Sequence, residues 1–404
     1  MKFPRWTAMV LSAGMAAATW TGCDSGNQRQ QRTNPTNGTG SVPFAGSGGV
    51  VDPPPPVAGS TGGMPQISGS GGSNPQIVTG GIANVTGGIN GGDTGGTSGT
   101  VNVPPVGTDC GMRAGMRGKT SRSVMVGNTA RTFIAYLPPT ASATTPLPFV
   151  YVFHGASQTG QMLYDMTEYA KLADSEGIAV VFPDGQGASS ATGTGSLAPW
   201  SVTDGPLLCG AGALVSNANA SDFDFVDAIR EDIKQDQCID DAHVFATGFS
   251  MGGYFSHHIA CDRPDFRAAA PHSGGTMGDL STCKTTRMPI IIFHGTADLL
   301  IADNCDDPAA TPDASFTASA TLWAMRNGCQ STYTTVATNG ANGSNGSCYV
   351  YDGCPADGQV EMCAFQGMSH CWAGASVCEG CIGTGPDFAS ATQLEWDFFK
   401  KYAW

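Results

Sequence analysis

Ser250 stands in Thr247-Gly248-Phe249-Ser250-Met251-Gly252-Gly253, where a β-branched and aromatic run, Ala242 to Thr247, gives way to a helix-compatible one. A Gly-x-Ser-x-Gly pattern between a strand and a helix sets the serine on a sharp turn. Its hydroxyl is pushed out at the top of a sheet, and the flanking glycines leave room for the tight backbone. The chemistry favoured is nucleophilic attack on an acyl carbon. A hydroxyl is a poor nucleophile until a base takes its proton, so a base and a group that orients the base must lie elsewhere in the chain.

In a chain with 56 glycines the pattern carries little weight alone, and its partners must follow in the right order. In an α/β-hydrolase that order is serine, acid, histidine. The acid is expected at Asp298, after the apolar run Met288 to Phe293 and the turn His294-Gly295-Thr296-Ala297, although Asp303, Asp306 and Asp307 compete for its place. Of the seven histidines only His370, in Gly-Met-Ser-His, comes later. His370 would take the Ser250 proton and return it to the leaving alcohol, while Asp298 orients the imidazole. The oxyanion calls for two backbone donors, expected at Met251 and, after Phe153-His154-Gly155, at Ala156. Each such donor is worth about 2.7–4 kcal/mol in the transition state. His257 and His258, on the helix after the elbow, read as packing or solvent-facing residues.

The elements that must position these groups read as strands alternating with helices. A hairpin over Ser121 to Val126 and Arg131 to Leu137 turns at Gly127-Asn128. A buried strand at Pro148 to Phe153 precedes a helix from Met162 to Glu176 closed by Gly177, then a strand at Ile178 to Phe182. A helix at Phe223 to Gln235 leads to the elbow strand and its helix, which ends at Cys261. Strands near Ala268 to His272 and Met288 to Phe293, a helix around Ala314 to Arg326, and short strands near Tyr333, Cys348 and Val360 follow. A last helix opens at Ser390 with Gln393. This alternation predicts an α/β fold, a mostly parallel central sheet with helices on both faces, over residues 109 to 404.

The first 22 residues read as an export signal: Lys2 and Arg5 precede an apolar run, Met9 to Trp20, too short to span a bilayer. Thr21-Gly22-Cys23 resembles a bacterial lipobox, which makes Cys23 a candidate for lipidation and membrane attachment; Trp20 departs from the aliphatic residue usual there. Residues 23 to 108, rich in Gly, Ser, Thr, Pro and Asn, cannot bury enough apolar surface to fold and read as a disordered tether reaching roughly 50 Å. Fourteen cysteines in an exported chain predict a disulfide-stabilised domain. The late group Cys354, Cys363, Cys371, Cys378 and Cys381 could instead hold zinc, but a second paired motif is missing. The formal net charge of −14 disfavours nucleic acid as a partner and is silent about a neutral polymer.

Over nearly all of residues 109 to 404 the chain resembles the secreted esterases grouped as feruloyl esterases and polyhydroxybutyrate depolymerases of carbohydrate-esterase family one. The likeness rests on Phe153-His154-Gly155, Val181-Phe182-Pro183-Asp184-Gly185, Val244 to Gly253, Ala270-Pro271-His272-Ser273-Gly274, His294-Gly295-Thr296-Ala297-Asp298, Gly367 to Trp372 and Trp396-Asp397-Phe398-Phe399. It implies an extracellular α/β-hydrolase without a metal, with Ser250, Asp298 and His370 as its triad; no cofactor is expected, and the chain is expected to be a monomer. Its substrate would be an ester-substituted polysaccharide or a polyester. The leading expectation is cleavage of hydroxycinnamoyl or acetyl esters on plant cell-wall xylan through an acyl-serine intermediate. A hydroxyalkanoate polyester depolymerase is the alternative, and an inactive hydrolase scaffold that binds polysaccharide at the cell surface is another, because fold does not guarantee chemistry. Trp372, Trp200 and His154 are the candidate substrate contacts, although the two tryptophans read equally as core. The insertion from Gly185 to Ala220 is expected at the pocket rim. Cys371 replaces the short polar residue many relatives carry after the histidine, and a disulfide there would stiffen the base. Phe249 excludes the device of tannase-like relatives, which join cysteines beside both serine and histidine.

Overall fold

The computed structural model describes residues 110, 113–202, 221–275, 280–298, 318–339, 345–375 and 388–403. The expected leader, the tether and Cys23 lie outside them.

Strands β1 (Gly118–Val126) and β2 (Thr129–Leu137) form the expected antiparallel hairpin. Six strands of β-branched, aromatic and small residues follow: β3 (Leu147–Phe153), β4 (Ala179–Pro183), β5 (Ile239–Phe249), β6 (Ala268–His272), β7 (Ile290–Gly295) and, after an antiparallel pair, β10 (Val360–Phe365). They pair in parallel in the middle of one sheet. The antiparallel pair β8 (Tyr333–Asn339) and β9 (Asn345–Tyr351) extends the far edge. The order across the ten strands is β1-β2-β4-β3-β5-β6-β7-β10-β9-β8. The parallel strands are buried on both faces, which is why they read as unbroken apolar runs.

Alternation along the strands sends neighbouring side chains into two cores. Phe149, Tyr151 and Phe153 pack with α3 (Asp222–Asp236), α4 (Met251–Asp262) and α5 (Ala318–Asn327). Val150 and Val152 pack on the other face with α1 (Gly160–Thr167), α2 (Tyr169–Glu176) and α6 (Ala391–Phe399). The chain therefore has the α/β-hydrolase fold, a mostly parallel sheet with helices on both faces. Four disulfides fasten it among the described residues: Cys110–Cys238, Cys261–Cys283, Cys329–Cys354 and Cys348–Cys363.

Two expectations change. The helix expected over Met162 to Glu176 is two helices, broken at Glu168, whose φ is 58°. The break has a tertiary cause. The Thr167 hydroxyl bonds back to Leu163 O at 2.7 Å, and the Thr167 carbonyl accepts from Thr392 of α6 instead of continuing the helical ladder. Cys371 makes no disulfide; it is a buried free thiol, its sulfur 3.9 Å from the Ser369 hydroxyl. Cys354 and Cys363 are committed to disulfides, which removes them from the zinc alternative, and Cys378 and Cys381 lie outside the described residues.

Candidate active site

Ser250 sits between the end of β5 and the start of α4 with φ 57° and ψ −117°, a conformation that non-glycine residues adopt rarely and at a cost. Neighbouring structure fixes it: Ser250 N–H donates to His272 O at 2.9 Å, and Ser250 O accepts from Tyr254 N at 3.0 Å. A β-carbon on Gly252 would overlap the Phe153 carbonyl oxygen, so only glycine lets α4 start this close to the end of β3. Ser157, two residues after Gly155, and Ser273, next to the His272 carbonyl that Ser250 N–H donates to, also have positive φ, of 63° and 49°.

Asp298 ends the turn after β7, its N–H on Gly295 O at 3.1 Å. The turn is sewn to the segment that carries His370: Thr296 N donates to Phe365 O, Ala297 N to Met368 O and Gly367 N to the Thr296 hydroxyl, at 2.8–3.0 Å. Gly295 is required here, because a β-carbon would overlap the carbonyl oxygens of Met368 and Ser369. Across this junction His370 Nδ1 lies 2.7 Å from Asp298 Oδ2. The His370 ring packs on Phe249, the residue before Ser250, at a centroid distance of 4.7 Å. Burial pushes the Asp298 carboxyl up, but hydrogen bonds from His294 and His370 outweigh it and hold the group well below the usual carboxylate range. Asp298 is thus an ionised acceptor that fixes the proton of His370 on Nδ1 and leaves Nε2 as the basic nitrogen.

Among the described residues neither Met251 N–H nor Ala156 N–H donates to a protein acceptor. The loop that carries Ala156 is clamped from three sides. Gln158 Oε1 accepts from Gly155 N at 2.9 Å, Trp200 Nε1 donates to His154 O at 2.7 Å, and His154 Nε2 accepts from Gly185 N at 2.8 Å. Burial pushes the His154 imidazole down to about 4, so the ring is neutral, with Nδ1–H donating to Gly155 O at 2.7 Å.

This corrects the expected substrate contacts. His154 and Trp200 are 0 % exposed and Trp372 is 1 % exposed, so none presents surface to a ligand. Trp200 stacks on Phe255, and Trp372 stacks on His272 while its indole N–H bonds the Thr392 hydroxyl at 3.1 Å. All three hold the loops that carry the candidate donors and base. His257 and His258 are buried, as packing residues would be, with His257 accepting from Trp323 Nε1 at 3.1 Å. The described part of the 185–220 insertion lies against the donor loop, where Ser157 N donates to Ser196 O at 2.7 Å. Residues 203–220 and the competing Asp303, Asp306 and Asp307 lie outside the described residues. A cavity of about 160 Å³ lined by Arg131, Thr132, Asp184, Gly185 and Ser221 contains none of the candidate catalytic or oxyanion residues.

Sequence reasoning missed Gln158, because nothing in a glutamine three residues after a glycine shows that it will cap that glycine's N–H. It also missed His294, whose Nε2 lies 3.3 Å from Asp298 Oδ2. The signal for His294 was its place four residues before the acid.

Residues 124–327 match the profile of the Esterase family. Feruloyl esterase C of Emericella nidulans is 38% identical over 29% of this chain and 40% of its own length. Feruloyl esterase B of Piromyces equi is 26% identical over 68% of this chain and 45% of its own length. The bifunctional acetylxylan esterase/xylanase XynS20E of Neocallimastix patriciarum is 30% identical over 40% of this chain and 21% of its own length. The chain spans less than half the length of each of these relatives. With half of its residues under one profile, this chain belongs to the Esterase family.

Proposed function

We propose that the chain is a serine carboxylic-ester hydrolase acting on hydroxycinnamoyl or acetyl esters of a neutral plant polysaccharide such as xylan. The observation that carries this reading is the 2.7 Å bond between buried, ionised Asp298 and His370, whose ring packs beside the elbow of Ser250. The relatives' names, feruloyl esterase and acetylxylan esterase, favour the same class of ester.

In this mechanism Ser250 Oγ attacks the ester carbonyl carbon as its proton passes to His370 Nε2. The electron pair of the carbonyl moves to oxygen, and the N–H groups of Met251 and Ala156 hold that oxyanion. Collapse of the tetrahedral adduct breaks the bond to the alcohol, which leaves with the proton from Nε2. Water, deprotonated by the same nitrogen, then attacks the acyl-Ser250 ester and releases the acid. Asp298 stays ionised and steadies the imidazolium.

The disulfides suit an oxidising compartment, in keeping with export and with attachment through Cys23. Among the described residues no helix is long and apolar enough to cross a membrane. Mass spectrometry of the mature N-terminus tests the anchor, and an unmodified Cys23 would reject it.

The deciding assay compares ferulate and acetate release from arabinoxylan with clearing of a polyhydroxybutyrate suspension, with Ser250→Ala beside the wild type. Release by the wild type, lost in the variant by orders of magnitude, is the expected result. Clearing without release would move the substrate to polyesters. Polysaccharide binding with no cleavage of any ester, short nitrophenyl esters included, would leave the chain a binding protein.

A further inference from the structure

We propose that His294 is a positioning residue for this hydrolysis, a second histidine that holds the carboxylate of Asp298 by the same oxygen that serves His370. The proposal rests on the serine-esterase reading and adds to it a group that reacts with nothing itself.

His294 is the next-to-last residue of β7, opposite Ala364 of β10, and is 1 % exposed. Its Nε2 lies 3.3 Å from Asp298 Oδ2, while His370 Nδ1 lies 2.7 Å from that same oxygen. Both side chains and the carboxylate are almost wholly shielded from water. Two further imidazoles face this cluster: His272 from β6, whose Nε2 accepts from Ala373 N at 3.1 Å and whose ring stacks on Phe293, and His257 from α4. Burial keeps the imidazoles of His257 and His272 neutral, and His294 and His370 are the two imidazoles seen within reach of Asp298 Oδ2.

The physical effect of the second donor follows from sharing. A nitrogen that faces a carboxylate at this distance must carry a proton, so His294 is held as the Nε2–H tautomer. Its bond draws charge from Oδ2 and stops the carboxylate from rotating about its terminal torsion. Both effects act on His370: the imidazole keeps one orientation, and the imidazolium is stabilised less than it would be by an unshared carboxylate. Loss of His294 should therefore make His370 more basic and worse aimed.

The experiment uses the full chain with 4-nitrophenyl acetate and three variants. His294→Phe keeps a ring without a donor and should lower kcat by roughly 10- to 100-fold, as loss of an outer partner of a functional imidazole does elsewhere. KM should stay near the wild-type value, and the acid limb of the kcat/KM profile should move to higher pH. His294→Gln restores a side-chain N–H and should recover most of kcat and the original limb. Nitrogen-15 spectra of histidine-labelled wild type, with the His294 signals assigned from their loss in the Gln variant, should show a protonated Nε2 across the neutral range. A Phe variant with wild-type kcat and an unmoved acid limb would overturn the role, and a bare Nε2 in the resting protein would overturn it even if the Phe variant failed to fold. Ser250→Ala separates the two levels. Should that variant retain wild-type cleavage, the esterase reading itself falls, whereas its inactivity beside an unaffected His294→Phe would reject only the present inference.

Discussion

The Trp200 indole N–H donates to the His154 carbonyl at 2.7 Å across 46 residues of chain, and so ties the middle of the 185–220 insertion to the loop that carries Ala156. Trp200→Phe keeps the ring stacked on Phe255 but leaves that buried carbonyl without its donor. The variant should lose about 1–3 kcal/mol of stability, the cost of an unsatisfied buried acceptor. Its kcat should fall more than its KM rises, because the proposed Ala156 donor on this loop is one used most fully in the transition state. Denaturant melts and steady-state kinetics on one short ester measure both. Unchanged kcat would mean that the loop holds its shape without the indole.

Gly295, three residues before Asp298, lies so close to the Met368–Ser369 backbone before His370 that there is no room for a methyl group between them. Gly295→Ala must push β7 and the Met368–Ser369 backbone apart, and Asp298 with His370 along with them. A displacement near 1 Å costs about 100-fold in rate. The variant should fold at lower temperature, lose activity on that scale and bind substrate nearly as well as the wild type. Wild-type kcat would show that the junction opens without disturbing the pair.

Glu395 predicts the pH dependence of stability. It is 0 % exposed, accepts from the Tyr169 hydroxyl at 2.6 Å, and has an Oε1 that meets no donor among the described residues. Thr247, whose proton goes to Ala270 O at 2.7 Å, has only an acceptor left to offer it. Burial pushes the carboxyl well above its ordinary 4.5, so the folded state keeps a proton that the unfolded chain releases. The folded state then binds more protons than the unfolded one, and stability falls as pH rises above the unfolded value. The slope is at most about 1.4 kcal/mol per pH unit. Glu395→Gln removes this dependence, so its melting temperature should gain on the wild type from pH 5 to pH 8. A constant difference across that range would show that Glu395 is charged in the fold.

Much of this architecture was legible because it is written locally. The turn at Ser250, and Asp298 and His370 that meet after β7 and β10, each sit in a short pattern, and unbroken apolar runs marked the parallel strands. What stayed hidden depends on residues that meet only after folding. The break at Glu168 arises from Thr392, 225 residues away from Thr167. Trp200 and Trp372 could not be sorted into wall or core, since an aromatic beside a motif reads the same in either place. Cys371 looked like half of a disulfide because cysteine count says nothing about which thiols approach.

The sheet order has one more outcome for Ser250. In the strand order Asp298 and His370 follow β7 and β10, on one side of β5, and Ala156 follows β3, on the other. A carbonyl bound with its oxygen toward β3 can therefore be struck on one of its two faces only, with the leaving group turned toward His370. A chiral organophosphonate offers mirror-image versions of that arrangement, and one enantiomer should inactivate the protein far faster than the other, an asymmetry that timed inhibition with the separated enantiomers would measure.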